Sequence, residues 1–125
     1  MNIQSKLKNI GDYGCLCFCY LYMIGVPPEN LITSYEDLIA KNIIDNECFV
    51  KDGYSFCRYF TGKTPEIIFT SVDNKQYDKY ISNFTYNGKN HFVVTDRDDN
   101  VLFNSLDHSV CVAKGKIVSK RTVIV

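Results

Sequence analysis

The sequence predicts an α+β domain, and three observations carry that prediction. Helical signals occupy the first half, led by an apolar stretch from Tyr13 to Ile24 that ends at Gly25 and Pro27-Pro28. Strand signals occupy the second half, from Glu66 onward. Asn87-Gly88, the dipeptide best suited to a tight hairpin, sits inside that second half. Helices followed by hairpin-linked strands read as helices packed on an antiparallel sheet.

The elements follow in order. Residues 1 to 11 read as extended or irregular, with Gly11 as a breaker. Asp12 is placed to cap a first helix running from about Tyr13 to Ile24, and Gly14 eases the turn into it. Ser34 is the expected cap of a second helix, with Glu36 and Asp37 in its first turn and Leu38, Ile39 and Ile43 on its apolar side. A short third helix is expected over Tyr54 to Phe60, closed by Gly62. Strands are expected at Ile67–Phe69, Tyr77–Phe84 and His91–Thr95. A turn at Asp98-Asp99-Asn100 leads to Val101–Phe103, and Val110–Ala113 and Thr122–Val125 complete the sheet.

At 125 residues the chain suits one domain, and 46% hydrophobic residues can form a core. Formal net charge is zero, and only Lys114, Lys116, Lys120 and Arg121 make a weak basic run. General nucleic-acid binding needs a basic stripe, so it is not expected. The six cysteines do not read as a disulfide scaffold. Cys17 and Cys19 lie within an apolar segment, and Cys48, Cys57 and Cys111 read as core or edge residues. No C-x-C step has a matching His or Cys pair, so no zinc site or other metal is expected. Reduced thiols and a cytoplasmic setting follow. Lys6 and Lys8 before the apolar run imitate a signal peptide. The run lacks a small-residue cleavage site and is too short to span a bilayer, so a core helix is expected instead. Asp96, Asp98 and Asp99 lack the closing Glu of a calcium loop and read as a solvated turn.

Cys15 carries the sharpest chemical signal. A thiol at a helix N-terminus faces unpaired amides and a partial positive charge, both of which favour the thiolate. A cysteine nucleophile also needs a base, an orienting group for that base, and donors for an oxyanion. His91 opens a strand after a hairpin turn and is the candidate base. If Val94 to Phe103 form a hairpin, Asn104 returns close to His91 and can accept from its ring, with Asp107 as the competing orienter. The Cys15 N–H and the Asn9 side chain are candidate oxyanion donors. His108 reads as an exposed turn residue. Tyr77, Tyr80 and Tyr86 are a candidate contact surface, since tyrosine offers large area at low entropy cost.

Gly14-Cys15 entering an apolar helix, then His91-Phe92-Val93-Val94, a turn, and Val101-Leu102-Phe103-Asn104-Ser105 resemble the papain-like cysteine peptidase superfamily. The nearest branch is the small bacterial and phage group similar to double-glycine leader-processing peptidases. The resemblance implies a central helix starting at Cys15 and packed on a C-terminal sheet. It also implies Cys15 as nucleophile, His91 as base and Asn104 as orienter, with no cofactor. The chain departs from the family at Asn9, where Gln is usual, at Leu16, where Gly is common, and at Asn104-Ser105, where the branch has Asp-Pro.

Two functions are therefore expected to compete. One is a thiol hydrolase acting on a protein or peptide through Cys15, His91 and Asn104. The other is a catalytically inactive binding protein on the same scaffold, such as a phage-encoded inhibitor of a host defence enzyme like a CRISPR effector. Neither involves a membrane.

Overall fold

The computed structural model describes residues 14–105 and 109–125. Asn9, Asp12, Asp107 and His108, singled out above, lie outside the described residues.

Helix α1 (Cys15–Ile24) is apolar on nearly every side, and such a helix must be covered all round. Cys17, Cys19, Tyr20 and Leu21 are buried. Gly25 ends it in the left-handed region, at φ 75°. Helix α2 (Glu29–Ala40) starts earlier than Ser34. The prolines that stop α1 also start α2: Pro28 sits at the N-cap with φ −59°, already helical. Leu31, Tyr35 and Leu38 then fall on one buried face, leaving Ser34 in mid-helix. Helix α3 (Gly53–Thr61) is capped by Asp52, whose carboxylate accepts from the Tyr54 N–H, and it closes at Gly62.

The strands are β1 (Glu66–Thr70), β2 (Tyr80–Tyr86), β3 (Lys89–Thr95), β4 (Val101–Phe103) and β5 (Lys116–Ile124). They form one antiparallel sheet in the order β1-β5-β2-β3-β4. The β2–β3 hairpin turns at Asn87-Gly88, both with positive φ, as a two-residue turn matched to strand twist requires. The β3–β4 turn is held by Asp96, whose carboxylate accepts the N–H groups of Asp98 and Asn100. β5 inserts between β1 and β2, so the last strand joins β1 to the β2–β3 hairpin.

Two apolar clusters lie on the two faces. One joins α1, α2 and α3 to Ile67, Ile81, Val94 and Val123. The smaller holds Phe84, Val93 and Cys111. Arg121 ties the first face together: its guanidinium lies 4.6 Å from the Phe69 ring and 5.3 Å from the Phe92 ring, and it donates to the Tyr20 hydroxyl at 3.0 Å. Lys120, one residue earlier, points to the opposite face and is buried against the Tyr80 ring with Asp99 as its ion partner at 2.5 Å. Lys120 and Arg121 of the basic run thus serve opposite faces of the sheet.

Val110–Ala113, expected as a strand, lies in a short helix, α4 (Val110–Lys114). The Ser109 hydroxyl accepts from the Val112 N–H, and Cys111 turns into the smaller cluster. A local cap and one buried contact outweigh the β-branched composition. Among the described residues, no single helix is long and apolar enough to cross a membrane.

Gly115 sits where α4 passes β2, and a Cβ there would lie 2.2 Å from the Thr85 carbonyl oxygen and 2.3 Å from that of Cys111. Both obstacles are backbone. Gly115→Ala is therefore expected to cost about 3 kcal/mol, whereas Gly88→Ala, strained in φ but in open space, costs about 1 kcal/mol. Urea unfolding midpoints of the two variants check this; equal losses would refute the close approach.

Candidate active site

Cys15 is the first residue of α1 and is half-buried. First-turn amides have no acceptor within the helix. Burial pushes the Cys15 thiol above the ordinary range, while the N–H groups of Phe92, Leu16 and Cys15 itself pull it down; burial prevails. The thiol is thus held as a neutral S–H at neutral pH.

The Phe92 amide brings β3 to this helix end, one peptide beyond His91. His91 is only 4% exposed, and its Nε2 lies 2.7 Å from Asn104 Oδ1. An amide oxygen can only accept, so Nε2 donates in this bond. The β3–β4 hairpin produces this meeting: Val94 pairs with Phe103, which sets Asn104 just beyond the end of β4.

Side chains alternate along β3. Phe92 and Val94 pack on the α1 face, whereas Val93 belongs to the smaller cluster on the other side, and His91 shares its parity. The imidazole therefore leaves the strand on the side away from the body of α1. Among the described residues, no hydrogen bond joins the Cys15 thiol to the His91 ring. The fold brings His91 to Asn104 and brings Cys15 to the adjoining peptide, but does not couple the thiol to the imidazole.

A cleft of about 700 Å³ opens beside Cys15, walled by Leu16, Phe49, Val50 and Phe92 with exposed Lys89 and Asn90. Phe49 and Val50 come from the connection between α2 and α3, whose polar turn residues gave no sign that it would face Cys15. Their apolar side chains beside a tight turn were the available signal.

The tyrosine surface is corrected. Tyr80 is fully buried, and its hydroxyl donates to Asn74. Tyr77 precedes β2, stacks edge-on against Tyr80 and is half-buried, and Tyr86 is half-buried against the smaller cluster. These three rings do not form an exposed row. Among the described residues, no group of three or more His, Cys, Asp or Glu side chains is placed to hold a metal.

Comparison with family models, curated proteins and solved structures gives no match to this chain. The class that the fold and the candidate site define is thus an α+β domain with an open antiparallel sheet.

Buried thiols also set a pH limit on stability. The hydrogen bond with Cys48, then burial, raises Cys17; burial raises Cys19; and burial with the nearby Asp52 charge pushes Cys57 up to about 12. The folded chain holds these protons more tightly than the unfolded chain. Stability is therefore full below the ordinary thiol value of 9.0 and falls as pH rises toward about 12. Denaturant midpoints measured across that window should decline steadily, and a flat profile would contradict the buried neutral thiols.

Proposed function

We propose that this protein is a thiol hydrolase of papain-like arrangement, cleaving an amide bond in a protein or peptide. The observation that carries the reading is the His91 Nε2–Asn104 Oδ1 hydrogen bond at 2.7 Å, next to the strand position that touches the Cys15 end of α1. It orients the imidazole and assigns Nδ1 the role of base.

Because the Cys15 thiol is protonated, the reading is general-base catalysis rather than a standing thiolate–imidazolium pair. For this step the His91 ring has to pass from the far face of β3 to the sulfur, so the reading requires the β3–β4 hairpin to rearrange when substrate enters the cleft. Nδ1 takes the thiol proton as Sγ attacks the acyl carbon, and the Cys15 N–H donates to the oxyanion. His91 then gives that proton to the leaving amine, and a thioester remains. Water, deprotonated by His91, hydrolyses the thioester and restores the thiol.

A second reading, a binding protein without catalysis, is favoured by one observation: the His91 ring leaves β3 on the face away from α1 and makes no hydrogen bond to the thiol among the described residues. Its contact surface would include the exposed side chain of Phe49 at the cleft rather than the tyrosines.

Acylation of Cys15 by an activated ester separates the readings. The hydrolase predicts a rate that falls about 100-fold in His91→Ala and about 10-fold in Asn104→Ala. A rate that follows an ordinary thiol and ignores both substitutions would leave the binding reading.

A further inference from the structure

We propose that Cys17 and Cys48 are a built disulfide site that locks the α2–α3 connection onto α1. The two residues are 31 apart in sequence, both are fully buried, and their sulfurs lie 3.9 Å apart. In the reduced state one thiol shares its proton with the other sulfur, and the Cys17 S–H also reaches the Cys48 carbonyl oxygen at 3.6 Å. Among the described residues, no other two sulfurs make such a contact.

The backbone at Cys48 supports the site independently. Cys48 has φ 67°, a left-handed conformation that Gly or Asn adopts with less strain. The surrounding turn imposes it: the Asp45 carboxylate accepts the N–H groups of Glu47 and Phe49, and the Cys48 N–H donates to the Asp45 carbonyl. A turn that forces this conformation yet carries cysteine places its thiol against α1. The connection is also held by the Ile44–Val50 bridge, by the burial of Ile44, and by the Tyr35 hydroxyl, which donates to the Asn46 carbonyl oxygen at 3.1 Å. It supplies Phe49 and Val50 to the cleft beside Cys15, so a bond from Cys48 to α1 would fix that wall.

The oxidant is a small-molecule disulfide such as glutathione disulfide. When the turn opens, Cys48 loses its proton to water and its thiolate attacks a glutathione sulfur. A Cys48–glutathione bond forms and one glutathione thiolate leaves. Cys17 then loses its proton, attacks the Cys48 sulfur, and expels the second glutathione thiolate. Two thiols are oxidised, one external disulfide is reduced, and the two thiolates released take up the two protons. Burial and the thiol–thiol contact raise Cys17, so this exchange is slow in the closed fold and proceeds through opening.

The test is incubation of the native reduced chain in glutathione buffers of increasing oxidation, followed by thiol blocking and peptide mapping. The expected result is a Cys17–Cys48 crosslink as the dominant product, reversed by dithiothreitol, with a melting midpoint raised by about 10 °C. The same incubation in denaturant should scatter crosslinks among the six cysteines. A Cys17→Ser variant that folds should lose both the crosslink and the shift, while Cys57→Ser should keep both. Glutathione attached at Cys15 without the Cys17–Cys48 crosslink would overturn the proposal. So would a native product as scattered as the denatured one, or a crosslink that leaves the midpoint unchanged.

Discussion

The structure depends on covering α1. Cys17, Cys19, Tyr20 and Leu21 point in different directions around a short helix, and all four are buried. One flat sheet cannot cover such a helix, so α2, α3 and the α2–α3 connection complete the enclosure. Arg121 shows how tightly the ends of the chain are bound to it: a residue of the last strand donates to Tyr20 of the first helix across 101 positions. The guanidinium fits there because two aromatic faces and a hydroxyl replace part of its hydration.

That enclosure creates the tension at Cys15. The helix start supplies amides that favour a thiolate, but the walls that cover the helix remove water from the sulfur. Desolvation prevails, and a neutral thiol stands at the edge of the cleft. The His91–Asn104 bond forms on the other side of β3, where strand alternation and the β3–β4 hairpin put it. The thiol meets the peptide next to His91, and the pleat of one strand separates it from the imidazole.

Much of the fold was legible because it rests on local rules. Asn87-Gly88, the Asp96–Asn100 turn, Gly25 and Gly62 each impose a backbone conformation that few other residues take up easily, and each terminates or joins the expected elements. The approach of Asn104 to His91 was legible for the same reason, since a hairpin of fixed register determines which residues return to face one another. Ser34 misled because Pro28 is the better helix start: a fixed φ outweighs a potential cap. Val110–Ala113 misled because β-branched residues describe a preference for strands, while the Ser109 cap and the buried Cys111 favour a helix there.

The sequence by itself determined the α+β class, the helix that begins at Cys15, the hairpins, and the meeting of His91 with Asn104, because spacing and turn chemistry act over a few residues. Only the tertiary structure decided that Tyr80 is core rather than surface, that Lys120 and Arg121 serve opposite faces, and that the Cys48 turn lies against Cys17. It also decided that the imidazole and the thiol lie on different sides of β3. Those outcomes follow from which face of each element is covered, and covering is a property of the assembled chain, set by contacts between residues far apart in sequence.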